Sequence, residues 1–133
     1  MVISVLHNSV RKKTQDNGNI RLWGFVPSLN CYLSVITLGE IMRGIALKLR
    51  ADARTAATMT AWLEQLRRDY SDRILPINDR IALEWGRLAA ERPRGMADGL
   101  IAATALVHAK IVVTRNVDDF SDSRVPVINP WNT

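Results

Sequence analysis

Apolar positions follow two different spacings along the chain. Four short segments rich in β-branched residues predict strands: residues 32–37, 73–77, 111–114 and 125–128. Four longer segments with apolar residues at helical spacing predict helices: residues 38–49, 53–70, 79–92 and 96–109. Residues 2–6 are short and apolar, residues 11–19 are polar and indicate a loop, and residues 20–26 indicate a short helix. Strands that alternate with helices predict an α/β fold with a mostly parallel central sheet.

Details of these segments place them within the sheet. Pro76 cannot donate a ladder hydrogen bond, which favours an edge strand at residues 73–77. Asn78 or Asp79 is expected to cap the next helix. Residues 96–109 are the most apolar helical segment and should form the central buried helix. The change of spacing near residues 37–40 predicts a strand-to-helix junction there, with Glu40 just after the strand end.

Composition narrows the class of protein. The chain has 133 residues, the size of a single domain, and its formal net charge is +5. An arginine-rich basic surface suits phosphate or carboxylate partners, although solvated helix faces are often equally basic. The single cysteine, Cys31, allows no intrachain disulfide, which fits a reducing cytosol. No apolar stretch reaches the roughly 20 residues that a membrane span needs.

Three acidic residues stand at segment ends. Taken singly, Asp98 is explained as a helix cap, Glu40 as a solvated glutamate and Asp119 as a loop residue. A parallel α/β sheet would bring all three to one edge, where their charges repel unless a divalent cation neutralises them. Carboxylates are the ligands that Mg²⁺ and Mn²⁺ prefer. The pattern therefore favours metal-dependent phosphoryl chemistry over acyl transfer, whose G-x-S-x-G turn is missing from the sequence.

Two long runs resemble the PIN-domain ribonucleases, of the VapC type, that act as toxins in bacterial toxin–antitoxin pairs. The run LSVITLGEIMRGI (residues 33–45) is similar to their strand-and-helix segment. The run MADGLIAATALVHAKIVVTRNVDDF (residues 96–120) is similar to their second catalytic half, and VPVINPW (residues 125–131) to their C-terminal strand. The resemblance implies a three-layer α/β domain that cuts RNA in the cytoplasm with Mg²⁺ or Mn²⁺. It also implies a homodimer and inhibition by a VapB-like antitoxin.

Matched to the motifs, the resemblance implies that Glu40, Asp98 and Asp119 are the catalytic metal ligands, with Asp119 preferred to Asp118. Supporting residues for water, phosphate or RNA are expected nearby: Thr114, Asn116, Arg43 and Arg115. Arg43 has a simpler explanation, because it is spaced to form an i, i+3 pair with Glu40.

The start of the chain departs from the family pattern. Members of the family begin with an apolar strand that ends in Asp-Thr-Asn followed by Val-Ile-Ser, whereas this chain begins Met-Val-Ile-Ser. The resemblance thus implies a single domain over residues 1–133 that is N-terminally incomplete and lacks the first aspartate and the central strand. Loss of that strand would leave unpaired backbone on its two neighbours. Two alternatives remain open: an inactive PIN-like module that only binds antitoxin or RNA, and an unrelated nucleotide-binding α/β domain.

Overall fold

From residue 31 onward, the strands and helices occur in the order that the apolar spacing predicts. The structure is a computed structural model and describes residues 5–7, 31–120 and 123–129. In chain order the elements are β1 (Val5–His7), β2 (Cys31–Ser34), α1 (Val35–Ala51), α2 (Ala53–Asp69), β3 (Ile74–Leu75), α3 (Asp79–Glu91), α4 (Met96–Val107), β4 (Ile111–Val113), a 3-10 turn (Val117–Phe120) and β5 (Val127–Ile128). The loop and short helix predicted at residues 11–19 and 20–26 lie outside the described residues.

The five described strands form one sheet in the order β3-β2-β1-β4-β5. Strand β2 is parallel to β3 and β4 is parallel to β5, whereas β1 runs antiparallel to both of its neighbours. Leu6 pairs with Tyr32 on one side and with Val112 on the other. The expectation of unpaired backbone on β2 and β4 is therefore wrong, because Val5–His7 lies between them. Because β2, β3, β4 and β5 all run in one direction and β1 alone of the described strands is reversed, the prediction of a mostly parallel sheet is confirmed.

The junction between β2 and α1 lies earlier than predicted. β2 ends at Ser34, whose side-chain oxygen accepts a hydrogen bond from the Ile36 backbone N–H at 3.0 Å. This cap starts α1 at Val35, although Val35, Ile36 and Thr37 are β-branched and favour a strand. The predicted strand over residues 32–37 and the junction at residues 37–40 are therefore wrong by about one helical turn.

The sheet separates two helical layers. On one face, Leu6 and Val112 pack with α3 and α4 through Ile81, Leu88 and Ile101. On the other face Leu33 and Val113 pack against Tyr70 at the end of α2. The three-layer α/β arrangement is thus confirmed, and α4 is the buried helix that its apolar sequence predicts. β3 lies at the edge of the described sheet, as predicted, although it ends at Leu75, before Pro76.

Two further predictions concern the helices. Asn78 caps α3, because its side-chain oxygen accepts a hydrogen bond from the Ile81 N–H at 3.0 Å. Leu49, the last apolar residue of the helix predicted over residues 38–49, is 59% exposed. It lies in the last turn of α1, while α2 packs against Ile41 and Ile45 in the earlier turns. Within residues 5–7, 31–120 and 123–129, no helix combines the length and apolar character that crossing a bilayer requires.

Candidate active site

Glu40 lies on an exposed part of α1, in the second turn of the helix. The expectation that it directly follows a strand end is wrong, since the helix already begins at Val35. The helix does start from the carboxyl end of β2, so Glu40 remains near the edge of the sheet where ligands of α/β proteins bind.

Asp98 lies in the first turn of α4 and is half-buried. The helix is capped by Gly95 and has no side-chain capping hydrogen bond, so the interpretation of Asp98 as the cap is wrong. Burial raises the pKa of Asp98 above its ordinary value of 3.8, and the charges of Asp119 and Glu40 raise it further. The ionised carboxylate is therefore electrostatically unfavourable in the protein alone.

Asp119 is held on the 3-10 turn by a chain of hydrogen bonds that begins at the ends of β4 and β5. The Thr114 N–H donates to the Ile128 carbonyl at 3.0 Å, and the Asn116 N–H donates to the Thr114 hydroxyl oxygen at 3.1 Å. The Asp119 N–H then donates to the Asn116 carbonyl at 3.1 Å. Thr114 is fully buried and its hydroxyl oxygen accepts a hydrogen bond that fixes this turn, while its predicted role toward water or phosphate stays a prediction.

Asp118 and Asp119, the adjacent aspartates of the turn, differ in whether their charges act on Asp98. Both Asp118 and Asp119 are exposed, and Phe120 anchors the turn in the core. Asp119 is one of the two charges that raise the pKa of Asp98, whereas Asp118 is not. The charges that act on Asp98 thus include those of Asp119 and Glu40, and the choice of Asp119 over Asp118 as a metal ligand stays a prediction.

The three carboxylates are close enough to interact but do not form a tight cage. In the described ranges, no three His, Cys, Asp or Glu side chains are placed to hold one metal ion. Mg²⁺ usually keeps several waters and uses only one or two protein carboxylates, so a tight cage is not required. The repulsion focused on Asp98 is the condition that a divalent cation relieves. These residues therefore fit a hydrated Mg²⁺ or Mn²⁺ near Asp98.

A pocket of about 380 Å³ opens beside Asp119. Its lining is mostly polar and comes from the ends of β4 and β5: Arg115, Asn116, Val117, Asp118, Asp119 and Asn129. Asp98 and Glu40 are not part of this lining, so the pocket is not one that the three candidate acids share. Asn129 is not among the site residues predicted from the sequence, although its position after a strand end, in the run VPVINPW, is a signal that points to it.

The two predicted RNA-binding arginines occupy different places. Arg115 is exposed and lines the pocket, and Arg43 is exposed on α1, one turn after Glu40. In the described part of the chain the glutamates that form ion pairs are Glu64, Glu84 and Glu91, so the simple pairing of Arg43 with Glu40 is not formed.

The family model for the PIN domain matches residues 13–124, most of the chain. The chain belongs to the PIN-domain family. This PIN-domain protein is 31% identical over 134 residues to Toxin FitB of Neisseria gonorrhoeae, covering 94% of this chain and 95% of that protein. It is 33% identical over 105 residues to VapC ribonuclease Y4jK of Sinorhizobium fredii, covering 75% of this chain and 74% of that protein.

Solved structures agree with the sequence relatives. The crystal structure of FitAcB from Neisseria gonorrhoeae matches this PIN-domain protein with a TM-score of 0.66 and 33% identity, over 77% of this chain and 76% of that chain. The resemblance drawn from the two long runs is therefore confirmed: the protein is a PIN-domain toxin of the VapC type, in a family of toxin–antitoxin nucleases.

Proposed function

We propose that this PIN-domain protein is an endoribonuclease toxin that hydrolyses RNA phosphodiester bonds with a hydrated Mg²⁺ or Mn²⁺ near Asp98, to which Glu40, Asp98 and Asp119 are ligands directly or through water. The observation that carries the proposal is the electrostatic state of Asp98, whose pKa is raised by burial and by the charges of Asp119 and Glu40. A half-buried carboxylate beside two others suits a divalent cation. The relative named VapC ribonuclease supports RNA as the substrate.

The proposed reaction is an in-line displacement at phosphorus. A water oxygen forms a bond to phosphorus, its proton passes to a carboxylate or to solvent, and the bond from phosphorus to the leaving ribose oxygen breaks. When bound, the metal supplies charge neutralisation and a water of lowered pKa. Asp119 is held by the Asn116 carbonyl on a turn anchored in the core, so this chain fixes its position before substrate binds.

Phosphate binding falls to basic residues around the acids. The acidic cluster repels RNA, whereas the whole chain has a formal net charge of +5. Arg115, which lines the pocket with Asp119, and Arg43, one turn after Glu40, are the residues proposed to neutralise the RNA phosphates. Binding that depends on such contacts weakens steeply with added salt, because RNA regains its counterions.

The proposal includes two protein partners, a VapB-like antitoxin and a second copy of the chain. FitB, the relative, appears in solved structures named FitAcB and FitAB, the latter bound to a DNA fragment. On this chain, Val35, Met42 and Leu49 are spaced to share one face of α1 and are 37%, 49% and 59% exposed. Such a stripe supports an antitoxin surface. Leu83 and Met96 are exposed on the neighbouring helices α3 and α4 and support the homodimer. The proposed location of the protein is the cytoplasm.

The deciding experiment measures cleavage of a fluorescent single-stranded RNA by the purified protein with Mg²⁺, with Mn²⁺ and with EDTA. Asp98→Asn keeps the size of the side chain and removes its charge, and should reduce cleavage by about 100-fold or more. Glu64→Gln is the matched control, because Glu64 is an exposed acid of α2 that pairs only with Arg67 among the described contacts. Its rate should equal that of the unchanged protein.

Two outcomes would contradict the proposal. Cleavage that persists in EDTA would exclude the metal-dependent mechanism. An inert protein that binds RNA or a co-expressed antitoxin would instead favour the binding module that cuts nothing.

A further inference from the structure

The pocket beside Asp119 lies where two parallel strands end. Val113 pairs with Ile128 at the last positions of β4 and β5, so the residues that follow each strand emerge side by side. Asn116 and Asn129 come from these two different segments and line the same pocket. This is the edge at which α/β sheets bind ligands.

Buried residues hold the turn that lines this pocket in place. Thr114 and Phe120, on either side of the turn, are fully buried, and Thr114 is hydrogen-bonded to β5. The turn that carries Asn116 is therefore fixed to the sheet at both ends. A pocket of about 380 Å³ is at the small end of the range for ligand sites, about 300–1,000 Å³. It has room for one unstacked base and not for a double helix.

We infer that this pocket binds one nucleobase of single-stranded RNA next to the cleaved phosphate, and that Asn116 and Asn129 select a base that carries an exocyclic amino group. The inference rests on the proposed function for the position of the phosphate. Single-stranded RNA is read by hydrogen bonds to base edges that are no longer paired. A side-chain amide offers two donor hydrogens and two acceptor lone pairs, and so can join a base edge in addition to its protein contacts.

The balance of donors and acceptors sets the expected preference. Each asparagine brings both kinds of group, and the side-chain oxygens of Asp118 add acceptors. Arg115 supplies hydrogen-bond donors and a positive charge. Because Asp118 and Asp119 of the same pocket repel phosphate, we assign Arg115 to binding the phosphate and not the base. Adenine and cytosine present an amino group to such acceptors, whereas uracil presents carbonyl oxygens at the corresponding positions. The pocket therefore disfavours uracil.

The test measures binding without cleavage. Fluorescence anisotropy in EDTA is recorded for four short RNAs of mixed sequence that differ only in one central base. The unchanged protein should bind the adenine RNA roughly tenfold more tightly than the uracil RNA, and Asn116→Ala or Asn129→Ala should remove most of that ratio. Gln65→Ala is the matched control, because Gln65 is an exposed amide on α2 outside the pocket. It should leave the ratio unchanged.

A second measurement uses the protein without substitution, in case an asparagine variant does not fold. Titration with adenosine or uridine monophosphate is followed by amide chemical shifts, and larger changes at residues 115–119 and at Asn129 are expected with adenosine. Equal affinity for all four RNAs, or a ratio that survives both asparagine changes, would overturn the inference. Cleavage without base preference would overturn only the inference, and base preference without cleavage would overturn only the proposed ribonuclease activity.

Discussion

Gly99, the residue after Asp98, offers a test of how α4 is packed. A Cβ atom at Gly99 would lie 2.9 Å from Cδ1 and 3.1 Å from Nε1 of Trp85 on α3. The nearer distance is too short for a real contact, and the indole ring is rigid, so the ring or the first turn of α4 must move. Gly99 is therefore a position of close approach between α3 and α4.

Two opposing terms decide the effect of Gly99→Ala on the free energy of unfolding. Replacing glycine by alanine inside a helix stabilises it by about 1 kcal/mol. Forcing a methyl group into an occupied space costs about 1–3 kcal/mol. The net expectation is a loss of about 0–2 kcal/mol. Gly86→Ala is the matched control, because nothing lies within 4 Å of its added Cβ atom on α3, and it should instead gain up to about 1 kcal/mol.

The assay is urea unfolding followed by tryptophan fluorescence, with the midpoint compared among the three proteins at equal slope. The two variants should differ by about 1–3 kcal/mol, the size of the steric term alone. A Gly99→Ala protein as stable as Gly86→Ala would refute the close approach of Trp85 to α4. Because Asp98 precedes Gly99, a shifted first turn should also lower metal-dependent cleavage in Gly99→Ala and not in Gly86→Ala.

Two other substitutions test buried charge. The raised pKa of Asp98 means that the folded state binds the proton more tightly than the unfolded state does. Asp98→Asn should therefore be more stable than the unchanged protein in EDTA at pH 7. In thermal melts, the difference in melting temperature between the two proteins should shrink as the pH falls toward 3.8. A difference that does not change with pH would contradict this. The Arg94 guanidinium nitrogens are buried and have no hydrogen-bond partner among the described residues. Arg94→Met should therefore raise the free energy of unfolding in urea by about 1–3 kcal/mol. A lower free energy of unfolding would contradict this and indicate that the guanidinium has a partner.

Local signals in the sequence were sufficient for several elements. The unbroken apolar run after Asp98 marks α4 as the buried helix, because few other environments accept so many apolar side chains in sequence. Asn78 was recognisable as a cap since its side chain bonds a backbone group three residues away, at Ile81. The order of strands and helices, and the family resemblance of residues 96–120, likewise depend on neighbouring residues only.

Boundaries were predictable only in part. Val35, Ile36 and Thr37 favour a strand by their own propensity, yet they begin α1. The Ser34 cap and the packing of α1 against α2 outweigh that weak preference. The exposure of Leu49 has a similar origin, because spacing identifies the apolar face of a helix but not how far its partner helix extends.

The sequence by itself determined the α/β class, the central helix and the three candidate acids. Only the tertiary structure decided that Val5–His7 pairs antiparallel with β2 and β4, and that Asn116 and Asn129 line one pocket. It also decided that Asp119 and Glu40 raise the pKa of Asp98. The physical reason is the distance along the chain over which each interaction acts. Capping and helical spacing involve residues within a few positions of one another. Strand direction, pocket shape and charge coupling depend on contacts between segments that are distant in the chain.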